Sequence, residues 1–184
     1  MVGASSHFSV ARVRPLEPVT LERAHAALML EHAIAVMSWE SERSLEQLKQ
    51  ALRDGDRATH SSLRYALARV VAREIGALGF VRAVYVYGSP MENRAQADSD
   101  IDLLVQVGRR SKYARRRLQE LNRTLLEEYQ RLMGPDYCAM HYLLDFHLVT
   151  STDITRRRGY AAIIGDPHAL PPEKIYDSAI RSVG

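Results

Sequence analysis

Two aspartates one residue apart, Asp100 and Asp102, open the apolar run Ile101 to Val105, and a Gly-Ser pair, Gly88-Ser89, closes an earlier apolar run, Val84 to Tyr87. Side chains alternate along a strand, so Asp100 and Asp102 share one face, roughly 7 Å apart at the Cα, and Ile101, Leu103 and Val105 take the other. Carboxylates on an otherwise apolar strand repel each other and lose hydration, and a cation is the simplest compensation. Magnesium suits such a pair, because it takes a few carboxylates and fills its remaining positions with water and phosphate oxygens. Gly88 lets the backbone turn and approach an anion without a Cβ in the way, and Ser89 adds a hydroxyl donor. A helical turn starting there would add its amides. Alone, Gly-Ser is ordinary turn punctuation. Together with the paired aspartates it points to a site for metal-bound phosphate.

Gly88-Ser89, ten residues, then Asp100-x-Asp102 within an apolar strand resembles the motif of the DNA polymerase β-like nucleotidyltransferase superfamily, most closely its minimal, antitoxin-like bacterial and archaeal members, over roughly Ala58 to Asp177. The resemblance implies an α/β (α+β) fold with a small mixed sheet flanked by helices. It also implies two Mg2+ ions, with Mn2+ as the alternative, and transfer of a nucleoside monophosphate, AMP from ATP in the first instance, to a hydroxyl on a protein, RNA or small molecule. That family places a third carboxylate on a neighbouring strand, and Asp145, central in the apolar run Met140 to Thr150, is the residue that fits. In the family's usual roles Asp100 and Asp102 hold both ions and Asp145 holds the one nearest the acceptor, about 3.5 to 4 Å from the other. Gly88, Ser89 and the first loop arginine, Arg94, would bind the nucleotide. The loop departs from the common pattern: Pro90-Met91-Glu92-Asn93 stands where many minimal members carry a short Arg-containing segment ending in Gly. Glu92 therefore brings negative charge towards the phosphate position. The same resemblance supports an alternative, an antitoxin-like binding module of a toxin-antitoxin pair acting mainly by complex formation, and the N-terminal helices are read as either packing on the catalytic sheet or building a homodimer.

Nearby groups have plainer readings. His147 shares the face of Asp145 and is read as a hydrogen-bonded structural histidine in preference to a residue near the acceptor. Asp153 is a weaker ligand candidate, because Ser151-Thr152-Asp153 looks like a turn or helix cap. His25 and His32 read as ordinary helix residues, and Trp39 as a packing anchor or an oligomer contact. Arg109, Arg110, Lys112 and Arg115 to Arg117, with Arg156 to Arg158, crowd the ends of the two aspartate-bearing strands. Charge runs usually face water, so a solvated helix start and loop are favoured over a polyanion surface.

These residues need a scaffold, and the rest of the chain supplies one. Between Pro18 and Pro90 there is no proline, and the interval is rich in Ala, Leu, Glu and Arg, which predicts helices. The first is expected from an N-cap at Thr20 to about Met37, with Leu21, Leu28 and Ile34 on its apolar face. Ser44-Leu45-Glu46-Gln47 reads as a capping box for a second helix that Asp54-Gly55-Asp56 ends. A third runs from about Ala58 to Leu78 with Gly79 as its stop, and a fourth from about Ser111 to Met133 with Leu118, Leu125 and Tyr129 at helical spacing. The tail with Pro171 and Pro172 is expected to wrap the surface before a short turn near Tyr176. Residues 1–55 form an N-terminal helical extension in this reading, and 56–184 the catalytic domain.

At 184 residues and 46% apolar the chain has the composition of a folded unit. No apolar run approaches the roughly 18 residues that cross a bilayer, and Met1 to Ser9 lack the pattern of a secretory signal, so a cytoplasmic location is expected. The single cysteine, Cys138, precludes an internal disulfide and reads as a core thiol.

Overall fold

The computed structural model describes residues 18–134, 140–166 and 170–180. Cys138 lies outside them. Helix α1 spans Pro18–Ser41, α2 Leu45–Arg53, α3 Arg57–Gly76, α4 Lys112–Met133 and α5 Ser151–Thr155; the strands are β1 Val81–Tyr87, β2 Ile101–Val107, β3 Leu144–Val149 and β4 Glu173–Asp177. Short 3-10 turns occupy Ser89–Glu92 and Gly159–Ile163. The fold is α+β with one mixed sheet.

Local chemistry sets most helix starts. The Ser44 hydroxyl accepts the Gln47 amide at 3.2 Å while the Gln47 side chain accepts the Ser44 amide at 2.8 Å, the reciprocal cap expected from the sequence. Asp56 caps α3 and Ser111 caps α4 in the same way through the amide three residues on. Gly134 stops α4, where its φ of 99° suits a residue without a Cβ.

The sheet order is β3-β2-β1-β4. β1 and β2 form an antiparallel pair across the Gly88 loop, α4 carries the chain over to β3, which runs parallel to β2, and β4 returns antiparallel on the far side of β1. Helices α1 to α4 cover one face. Val84, Val86, Ile101, Leu103, Val105 and Leu144 point into that layer, and α1 and α2 join it through Ala26, Met29, Leu30, Ala33, Ile34, Met37, Leu48 and Leu52. Residues 18–53 thus share one apolar core with the sheet. Among the described residues the opposite face carries only a small cluster of Leu104, Val149 and Ala161, flanked by Tyr85, Tyr87, Ile154 and Ile164.

Five expectations need correction. α1 begins at Pro18, so Thr20 lies inside the helix, and Leu28 is 61% exposed because the buried stripe runs through positions 26, 29, 30, 33, 34 and 37. α3 ends at Gly76 before reaching Gly79: the Tyr176 ring covers Gly76, where a Cβ would collide with it, and the Tyr176 hydroxyl donates to Gly76 O at 2.8 Å. The tail around Tyr176 is a strand, held by pairing with β1, which no local pattern signals. Trp39 is 87% exposed, so of its two readings that of a packing anchor does not hold among the described residues. Among the described residues no helix is long and apolar enough to cross a membrane.

Candidate metal centre

Parallel pairing sets Asp102 of β2 directly beside Asp145 of β3, and Leu104 beside His147. Because the neighbours Ile101, Leu103, Leu144, Phe146 and Leu148 are drawn into the helical layer, alternation turns Asp102, Asp145 and His147 together onto the open face. His147 Nε2 lies 3.2 Å from Asp145 Oδ2 and 3.8 Å from Asp102 Oδ1. One ligand atom from each of the three residues falls within 4.8 Å of the others, close enough to bind a metal ion. The His147 ring is stacked on Tyr160, with centroids 3.5 Å apart and planes 22° from parallel. Tyr160 reaches it from the 3-10 turn that Ala161 anchors onto Leu104 and Val149.

Asp100 sits one residue before β2, outside that trio but within its field. Burial, then the charge of Asp102 and more weakly that of Asp145, push its carboxyl above the ordinary range; Arg64 opposes them. Arg64 fixes the loop that delivers it. This guanidinium, 1% exposed, donates to Ser99 O at 2.8 Å, to Ala97 O at 2.9 Å and to the Tyr129 hydroxyl at 3.2 Å. A further tie runs from the Ala95 amide to the Ser61 hydroxyl at 3.1 Å. Burial, followed by the charges of Asp102 and Asp145, also raises the Tyr87 phenol, which keeps it protonated at the sheet's end.

Gly88 turns the chain directly against this centre. Its φ is 79°, and a Cβ built on it would stand 2.7 Å from Asp102 Oδ2. The position demands glycine both for its backbone angle and for its closeness to the carboxylate. Ser89 opens the 3-10 turn beside it, its carbonyl accepting the Arg94 amide at 3.2 Å, and its hydroxyl makes no hydrogen bond among the described residues. Arg94 pairs with Glu92 within the same loop, so the negative charge expected near the phosphates already has a partner.

The other candidates fall outside the centre. Asp153 completes a capping box with Thr150 at the start of α5 and pairs with Arg110 at 3.1 Å. Arg110 also donates to Leu148 O on the free edge of β3 at 3.1 Å, and Arg116 and Arg117 both pair with Glu120. His25 pairs with Glu74 across the helical layer at 3.1 Å.

Among the described residues, no lysine or arginine comes within ion-pair distance of Asp100, Asp102 or Asp145. Two carboxylates with one imidazole between them offer donors of the kind that bind a divalent cation. Of the three carboxylates expected from spacing and from the resemblance, the fold brings Asp102 and Asp145 side by side, and His147, which shares the face of Asp145 as its i, i+2 spacing predicts, lies within hydrogen-bond distance of it; the sequence carries no sign of Tyr160 or Arg64. Comparison with known proteins gives no matching family model, no matching curated protein and no matching solved structure.

Proposed function

We propose that the protein is a metal-dependent nucleotidyltransferase, moving a nucleoside monophosphate, in the first instance AMP from ATP, onto a hydroxyl of a protein, RNA or small molecule. The observation that carries this reading is the pairing of Asp102 with Asp145 across adjacent strands, with Asp100 two residues before Asp102 and the Gly88 turn against the Asp102 carboxylate. Asp100, Asp102 and Asp145 would hold divalent metal, Mg2+ or Mn2+, whose charge neutralises a polyphosphate and stabilises its entering and leaving oxygens.

The chain's own groups then have distinct tasks. The Ser89 hydroxyl, and the backbone that Gly88 brings against the centre, face the phosphates. A cleft of about 460 Å³ opens beside Asp145 and His147, bordered by Tyr160, Tyr142, Arg110 and Arg115, and gives an acceptor access from the β3 edge. An acceptor hydroxyl there would lose its proton to the Asp145 carboxylate and form a bond to the α-phosphorus. The bond from that phosphorus to the bridging oxygen breaks in turn, and pyrophosphate leaves. Positioning and charge neutralisation account for most of the rate in such a transfer.

Incubation with labelled nucleoside triphosphates, divalent metal and a cell lysate as acceptor source tests the reading. Metal-dependent labelling with pyrophosphate release is expected, and Asp102→Asn should lower it by at least about 100-fold, since the metal term is worth several kcal/mol. Equal activity in the variant, or no metal-dependent release in the native protein, would overturn it.

A further inference from the structure

His147 is the donor of this centre to which the carboxylate chemistry assigns no task, and it is firmly held. Its side chain is 10% exposed, and the Tyr160 ring fixes the imidazole plane. Nε2 is the atom turned to the carboxylates, 3.2 Å from Asp145 Oδ2 and 3.8 Å from Asp102 Oδ1. Two donors bound at about 2.0 to 2.2 Å to one ion, with angles between octahedral and tetrahedral, stand about 2.8 to 3.6 Å apart. The first distance meets this range, and the second exceeds it by about 0.2 Å, within reach of a small rotation of the Asp102 carboxylate, whose side chain is 27% exposed.

A hydrogen bond to Asp145 alone would also give the shorter distance. It would not require the nitrogen to be aimed between carboxylates on two strands that are otherwise without a cationic partner among the described residues. Resting on the carboxylate site of the proposed function, we propose that His147 Nε2 is a direct metal ligand alongside Asp102 and Asp145, and that this position prefers a first-row transition ion to Mg2+. The physical reason is ligand softness. Mg2+ strongly favours oxygen donors and retains its water, whereas imidazole binds transition ions well. A histidine in the set therefore strengthens the hold on the transition ion and does little for Mg2+.

The test uses the full-length protein stripped of metal and without nucleotide, with Mn2+ as the probe. Titration followed by electron paramagnetic resonance, with Mg2+ as competitor, should show Mn2+ bound at least about tenfold more tightly, the scale on which ligand type separates these ions. Pulsed resonance spectra of the bound Mn2+ should carry the nitrogen coupling of one imidazole. His147→Gln should abolish that coupling and most of the preference while leaving Mg2+ affinity within about threefold, and Tyr160→Ala should reduce the preference part of the way. Bound Mn2+ without nitrogen coupling in the native protein overturns the assignment of His147 and leaves the transferase reading standing. Failure of the native protein to bind either ion at millimolar concentration overturns both.

Discussion

The two faces of the sheet are built from the same strands and obey opposite rules. On the helical face, Ile101, Leu103, Val105 and Val86 are 0% exposed, and each contributes about 1.5 to 3 kcal/mol by leaving water. On the other face the sheet presents Asp102, Asp145 and His147, with Asp100 just before β2, where partial burial of a carboxylate is a cost to which the neighbouring negative charges add. Adjacent residues therefore serve different ends. The helical layer holds the strands in register, and that register sets Asp102 beside Asp145 at an energetic cost the open face does not recover by itself. A centre of this kind can be arranged for binding because its geometry is enforced from behind.

The sharpest way to break this comparison is to change neighbours that point in opposite directions. Ile101→Ala removes a fully buried side chain and should lower stability by about 3 kcal/mol in urea unfolding, the usual scale for such a cavity. Asp100→Asn, one residue away, should instead raise the stability of the metal-free protein at pH 7, by up to about 1 kcal/mol, the range of a partly exposed charge interaction. Added Mn2+ should reverse the second effect, because only the native carboxylate is stabilised by the ion. If both variants destabilise alike, Asp100 belongs to the packed layer and the contrast between the faces fails.

Gly88→Ala probes where the two regimes meet. The φ of 79° is unfavourable for alanine, and its Cβ would press on Asp102 Oδ2. A cost of about 1 to 2 kcal/mol is expected from the backbone angle, with a loss of Mn2+ affinity as Asp102 is displaced. A variant with native stability but weakened metal binding would mean that the turn yields and the carboxylate moves. One with native metal affinity would show that Gly88 serves the turn alone.

Much of this was legible because it is local or periodic. The Ser44 capping box and the apolar stripe of α4 depend on residues within a few positions of each other, and they stand where the spacing places them. The aspartates were legible for a different reason: charge inside an apolar strand conflicts with its surroundings, and such conflicts mark sites. What was not legible depends on contacts distant in sequence. β4 forms because β1 offers an open edge, and Gly76 ends α3 against Tyr176, 100 residues away. Arg64 reads as an ordinary helix arginine until Ser99 and Ala97 come to lie over it. The surroundings of His147 likewise depend on strand register and on Tyr160, neither of which leaves a mark in spacing.

The smallest expected effect separates the two regimes by sign. Asp56 and Asp100 are the same residue type, one at the start of α3 and one at the centre, and their carboxyls shift in opposite directions. The Thr59 hydroxyl and then the Thr59 amide donate to Asp56 and, with help from Arg43, hold its pKa below the ordinary value of 3.8. The stability it contributes is therefore fully present above that value and is lost as pH falls through the lowered one. For Asp100 the raised pKa means a penalty that is present above it and fades as pH falls towards 3.8. Asp56→Ala should thus cost about 1 kcal/mol at pH 7, the usual worth of an N-cap, and the difference from native protein should shrink only in strong acid. The gain from Asp100→Asn should shrink earlier, at higher pH. Unfolding of both variants and the native protein from pH 7 down to the acid limit would give two difference curves of opposite sign, and curves of the same sign would show that the open-face carboxylate is as well supported as the cap.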